Sequence, residues 1–202
     1  MTVNRMALRK CVAALIVTLF LAASLFAQET TVPTLPFIHI DNFGRIGDAY
    51  YRGAQPDGRG FADLVTLGVK TVIDLTAHGH ADEQLMVEND GMKFYRIPLT
   101  TSHRPSDAAV IRFLELVNDP ARQPVYVHCE GGRHRTGVMT AVYRMTHDSW
   151  TADQAYAEMK QYRFEGFPSH PTLKRFVFDY YAQLARPEMR EGNHVAEGVA
   201  SK

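Results

Sequence analysis

Residues 128–137 read His-Cys-Glu-Gly-Gly-Arg-His-Arg-Thr-Gly. The order is an apolar run ending at His128, then Cys129, five residues, Arg135, and Thr136-Gly137 at the start of a helical pattern. A sulfur at a strand end faces the N-terminus of the helix that follows, where unpaired N–H groups and the positive end of the helix dipole converge. That field stabilises a thiolate. Gly131 and Gly132 let the loop curl, so that the backbone N–H groups of Glu130, Gly131, Gly132, Arg133, His134 and Arg135 form an anion nest. The same nest suits the non-bridging oxygens of a phosphoryl group, and the Arg135 guanidinium can grip two of them bidentately. A Cys alone after a strand is a small buried hydrophobe and a Gly pair alone is a turn. It is the combination with Arg at the sixth position that points to nucleophilic chemistry on phosphorus.

The elements that must hold this loop can be read on either side of it. Pro124 to His128 is a short apolar strand, and Val138, Ala141, Val142 and Met145 mark one face of the helix after the loop. Upstream, Phe37 to Arg52 reads as an edge segment that runs into the turn cluster Gly53 to Gly58. Phe61, Leu64, Val65 and Leu67 form a short helix stopped by Gly68. Lys70 to Leu75 is a β-branched run suited to a buried strand. A short helix follows near Asp82–Asn89, then a strand from Met92 to Leu99 closed by Pro98. Pro105-Ser106 opens a helix whose face is Val110, Phe113, Leu114 and Val117, and Asp119-Pro120 ends it. Thr151 with Gln154 spells a capping box. Leu173, Phe176, Val177, Tyr180 and Leu184 mark a last helix. Strands alternating with helices predict one α/β domain with a mainly parallel central sheet flanked by helices.

The chain has 202 residues, 46% of them hydrophobic, and equal numbers of acidic and basic side chains. This composition excludes a disordered tail and gives a nucleic-acid binder no electrostatic footprint. Arg5, Arg9 and Lys10 precede the uncharged stretch Cys11 to Ala27, the pattern of a secretory signal. Residues 1–27 are therefore expected to direct export to the periplasm or beyond, the alternative being an uncleaved membrane anchor. Removing them takes three basic residues and leaves a mildly acidic chain. Cys129 is then the sole cysteine, so no internal disulfide can form. Residues 28–44 read as a lead-in, 45–185 as the catalytic domain and 186–202 as a mobile tail.

The string Cys129 to Arg135 resembles the Cys-x5-Arg signature of the cysteine-dependent protein tyrosine phosphatases, in particular the small dual-specificity type. Tyr51-Arg52-Gly53-Ala54-Gln55-Pro56, Thr71 to Leu75, Ile97-Pro98-Leu99 and Ala141 to Arg144 look like the family's landmarks in the same order. Gly132 to Gly137 is similar to the loops of atypical members from plants and fungi, some of which act on inositol polyphosphates. The resemblance implies that Cys129 attacks phosphorus and forms a phosphocysteine. The loop N–H groups and Arg135 would stabilise the transferring phosphoryl, and the Thr136 hydroxyl would donate to the Cys129 sulfur. His128 would bond the loop backbone and orient Cys129. Neither cofactor nor metal is required. The expected partner is a phosphorylated protein or small phosphate ester met by a monomer. A membrane is involved only if the N-terminal segment is retained.

The family's general acid is an Asp about thirty residues before the nucleophile. Here Thr101 falls at that position, and Leu99 to Arg104 holds no carboxylate. Asp107 is the nearest acid, and it equally suits a helix first turn. His103, Asp74, Asp82 and Glu83 are the other candidates. Arg133 and His134 can meet extra phosphates or face solvent, whereas Glu130 places a negative charge at the pocket lip. A phosphate-binding module without turnover and a rhodanese-like sulfurtransferase are the alternatives to a phosphatase.

Overall fold

The computed structural model describes residues 37–165 and 168–186. Residues 1–36, with the expected signal, and 187–202 of the expected tail lie outside the described residues. The strands are β1 (Gly44–Arg45), β2 (Tyr50–Gly53), β3 (Thr71–Thr76), β4 (Lys93–Leu99) and β5 (Val125–His128). The helices are α1 (Gly58–Thr66), α2 (Glu83–Asn89), α3 (Asp107–Asn118), α4 (His134–His147), α5 (Ala152–Gln161) and α6 (Pro171–Leu184). The sheet order is β1-β2-β5-β3-β4. Only the β1–β2 pair is antiparallel.

Alternation along the strands builds a core on both faces. Tyr50, Ile73, Leu75, Val125 and Val127 pack towards α3, α4, α5 and α6. Tyr51, Val72 and Tyr126 pack towards α1 and α2. Helix α4 runs through the larger core, with every residue from Thr136 to Tyr143 buried. Caps fix several helix starts. Asp57 accepts the N–H groups of Arg59 and Gly60, Ser106 accepts that of Ala109, and Thr151 with Gln154 forms the reciprocal box.

Three sequence expectations change. The edge segment is only Gly44–Arg45; Tyr50–Gly53 is an interior strand paired to β5, because all four of its residues are buried. Residues 38–44, assigned to the lead-in, pack on the domain: Ile40 is buried and Gly44 pairs with Arg52. Strand β4 also continues through Pro98. Asp74 pairs with Arg96 and Thr76 with Leu99, so β4 bulges at Ile97-Pro98, and an edge strand tolerates a residue that has no N–H.

Candidate active site

Three parallel strands lie in register here, β2 and β5 ending level while β3 runs on to Thr76. Gly53 of β2 and Asp74 of β3 both stand opposite His128 of β5. Cys129 is the next residue, buried and free, and the loop to Arg133 crosses the carboxyl ends of these strands, where open α/β sheets place their ligands. Helix α4 then starts with Arg133 at its N-cap and no capping side chain. Its first N–H groups therefore remain open to an anion.

The loop is anchored from below. Gly132 has φ +62°, and a Cβ there would overlap the carbonyl carbon and oxygen of Gly53 and the nitrogen of Ala54. Only glycine fits both the left-handed backbone and the approach to β2. The Gly132 carbonyl accepts from Arg52 Nη2 at 2.6 Å and from Asn42 Nδ2 at 2.9 Å. Asn42 also donates to the Tyr162 carbonyl at 3.0 Å. The Glu130 carbonyl accepts the Gln55 N–H at 3.0 Å, and Tyr126 Oη donates to the Ala54 carbonyl at 2.5 Å.

Donor groups with no partner gather around this loop. Arg52 Nε and Nη1, Arg133 Nε, Arg135 Nε and Thr136 Oγ1 are buried without a hydrogen-bond acceptor. Buried donors are otherwise nearly always paired. Arg135 Nη2 lies 3.9 Å from Glu130 Oε2, a loose contact because the Glu130 side chain is 88% exposed. The Arg135 guanidinium is therefore free to take a bidentate anion.

Two expected contacts are absent. Among the described residues the Thr136 hydroxyl makes no hydrogen bond to Cys129 or any other group. The His128 ring does not bond the loop backbone. It stacks on Tyr126 and faces Glu83, with Nε2 2.8 Å from Oε1, because it is drawn into a buried charged cluster. In that cluster Arg96 Nε donates to Asp74 at 2.7 Å, Arg96 Nη2 lies 3.6 Å from Glu83, and Gln55 Nε2 donates to Glu83 at 2.7 Å. Asp74, Glu83 and His128 lie close enough to share a cation. The Arg96 guanidinium already supplies that charge, so the cluster reads as a structural ion network.

The acid candidates are dispersed. Asp74 and Glu83 are fully buried in that network and do not face a leaving group. Asp82 is exposed at the start of α2. Asp107 is exposed in the first turn of α3. Burial and then the Asp107 charge push the Tyr180 phenol of α6 up to about 12, which places Asp107 towards α6. The His103 ring contacts Thr100 and Ser102. His134 and Arg133 differ from a solvated rim. His134 packs on His170, with ring centroids 3.9 Å apart, and edge-on to Phe164 at 5.5 Å. Burial, then His170, lowers its pKa to about 4.

Arg52, Asn42, Gln55 and Tyr162 form the support, and none was assigned a role from the sequence. The signal for Arg52 was a charge inside the otherwise apolar strand Tyr50-Tyr51-Arg52-Gly53.

Comparison with known proteins agrees with this geometry. The sequence model of a family described as DSP-PTPase phosphatase fused to NAD+ kinase matches residues 44–173. The dual specificity protein phosphatase TpbA of Pseudomonas aeruginosa is 31% identical over 160 residues, 76% of this chain and 72% of the relative. An inositol diphosphatase of Saccharomyces cerevisiae is 26% identical over 147 residues, 70% of this chain and 51% of that relative. The crystal structure of a Cys-to-Ser form of TpbA in complex with phosphotyrosine matches with a TM-score of 0.63 and 25% identity, over 74% of this chain and 90% of that one. The core catalytic domain of a PP-IP phosphatase of S. cerevisiae shares the fold, with a TM-score of 0.64 and 24% identity over 78% of this chain and 96% of that one.

Proposed function

This chain belongs to the DSP-PTPase family of cysteine-dependent phosphatases, and from that premise we propose that it hydrolyses its esters in two steps through a phosphocysteine on Cys129. Its reaction is the hydrolysis of phosphate monoesters. In the first step the Cys129 thiolate attacks phosphorus in line, so that a P–S bond forms as the bond to the leaving oxygen breaks. In the second, water attacks phosphorus, the P–S bond breaks, and inorganic phosphate leaves with the thiolate restored. Arg135 and the loop N–H groups hold the equatorial oxygens as charge shifts. The Thr136 hydroxyl, buried and without a hydrogen-bond partner, is left to donate to the departing sulfur.

The observation that carries this reading is the set of unpaired buried donors on Arg133, Arg135 and Thr136, in and just after the loop that follows buried Cys129, and on Arg52, which bonds that loop. They match the several acceptor oxygens of a phosphoryl dianion, and no metal is needed to supply charge.

The substrate class follows from the acid loop. Leu99 to Arg104 contains no carboxylate. Leaving groups that depart with little protonation, phenols and phosphoanhydrides, are favoured over alkyl alcohols. The Glu130 charge at the lip disfavours a densely phosphorylated ligand, so phosphotyrosine in an exposed peptide segment is the preferred substrate. That TpbA has been crystallised with phosphotyrosine supports this choice.

A panel of phosphotyrosine and phosphoserine peptides, inositol phosphates and phosphoinositides tests the reading. Phosphotyrosine should give the highest kcat/KM, and a first-turnover burst of phenol should appear. Cys129→Ser should still bind phosphate esters but turn over at less than about 1% of the wild-type rate. A Cys129→Ser enzyme that keeps its rate would refute the covalent step. Export is part of the same proposal, supported by Arg5, Arg9 and Lys10 before the uncharged run to Ala27. Sequencing the N-terminus of the protein recovered outside the cytoplasm would show whether residues 1–27 are removed.

A further inference from the structure

Among the described residues Arg52 has no counter-ion of its own. It is fully buried on β2, paired in register with Val127 on the strand that delivers Cys129. Its guanidinium lies 4.0 Å over the Tyr162 ring and gives one N–H to the Gly132 carbonyl. Nε and Nη1 are buried with no acceptor. An arginine does not give up its proton in a protein, so a full positive charge sits beneath the loop. Isolated buried charges are costly unless something opposite compensates them.

The groups with electrostatic influence on Arg52 narrow the choice. Burial acts against its charge; Tyr50, Tyr162, Glu158 and Cys129 act for it. Phenols are neutral at physiological pH. Glu158 is committed to Arg144, whose Nη2 and Nε reach Glu158 Oε1 at 2.6 and 3.1 Å. Asp74 and Glu83 are held by Arg96, and Glu130 lies out in solvent. What remains is the sulfur of Cys129 and the anion that the loop accepts.

We propose that Arg52 is a second fixed positive charge of the phosphate site, acting on the bound anion through the floor of the loop while its Gly132 contact holds the loop in place. It is a positioning residue with an electrostatic part, distinct from Arg135, which grips the phosphoryl from above. The proposal rests on the reading that the loop binds a phosphoryl group. It goes beyond that reading by giving a role to a residue outside the Cys-x5-Arg string.

Two substitutions separate charge from hydrogen bond. Arg52→Lys keeps the charge and loses the fork; Arg52→Gln keeps a donor for Gly132 and loses the charge. Binding of inorganic phosphate is measured by calorimetric titration, which needs no turnover. Arg52→Gln should weaken it by at least about tenfold, while Arg52→Lys stays close to the wild type. Equal losses in both, or wild-type affinity in Arg52→Gln, would overturn the proposal, because the Gly132 hydrogen bond would then be the whole role. If either variant does not fold, the wild type carries the same test. With arginine labelled by ¹⁵N, the Arg52 Nε–H resonance should shift on adding phosphate, and an unmoved resonance would overturn the proposal. A wild-type enzyme that binds no phosphate removes the reading of the loop itself. A wild type that binds, beside an Arg52→Gln variant that binds equally, removes only the role of Arg52.

Discussion

His128 and Glu83 meet 2.8 Å apart, and neither side chain has any exposed surface. Through this contact Glu83 holds both flanks of the nucleophile. His128 precedes Cys129; Gln55, which donates its amide to Glu83 at 2.7 Å, gives its backbone N–H to the carbonyl of Glu130, the residue after Cys129. Arg96 closes the cluster from β4 and ties it to Asp74.

Removing Glu83 should therefore cost stability and catalysis together. Glu83→Ala leaves buried His128 and the Gln55 amide without a partner and Arg96 with Asp74 alone, a loss expected at about 1–3 kcal/mol in urea unfolding. Glu83→Gln keeps the volume and a hydrogen-bonding group for Gln55, so it should lose less. In the folded Gln variant kcat should fall while KM changes little, because the loop is misplaced rather than emptied. An alanine variant as stable as the wild type would show that the cluster contributes nothing net.

The two loop glycines should respond differently. Gly132→Ala puts a Cβ into the Gly53–Ala54 peptide at φ +62°, where strain and overlap add. A loss above about 1 kcal/mol is expected in thermal or urea unfolding, with most activity gone. Gly131 has no such conflict: the nearest atom to its Cβ would be Arg133 Nε, at 3.5 Å. Gly131→Ala should stay near wild type in stability, and equal losses at the two positions would contradict this account of the loop.

Asp107→Asn should behave as a helix-start change. The side chain is exposed at the first residue of α3, and its field is felt by Tyr180. The stability loss should not exceed about 1 kcal/mol. Rates with phenyl, alkyl and activated aryl phosphates should fall little and by equal factors. A loss that grows as the leaving group becomes poorer would instead make Asp107 the general acid.

His134 should make the enzyme acid-sensitive. Burial against Phe164 and the neighbouring His170 lower its pKa to about 4, whereas in the unfolded chain a histidine titrates near ~6.5. Between those values the unfolded state takes up a proton that the folded state refuses. Stability is thus full above the unfolded value and falls as pH drops through this window. His134→Phe removes the titrating ring, so the urea midpoint should decline less between about pH 7 and pH 4.5 than in the wild type. Parallel declines would show that His134 is not the group responsible.

What the sequence determined by itself was local. The string His128 to Gly137 carries its chemistry in adjacent residues, and the stops and caps at Gly68, Ser106, Asp119 and Thr151 act within one helical turn. Their partners lie a few positions away, so residue type and spacing suffice. The α/β alternation was legible for the same reason, since each strand and helix writes its own period. The support of the site was decided only by tertiary structure. Arg52 reaches Gly132 across 80 residues, and Asn42 reaches Gly132 across 90 and Tyr162 across 120. No periodicity records such pairs. They exist because β2, β3 and β5 align so that Gly53 and Asp74 both stand beside His128. The same register turns His128 towards Glu83 and away from the loop. It also makes Gly132 the glycine that cannot change, a distinction absent from two identical letters side by side: only one of them lies against the backbone of β2.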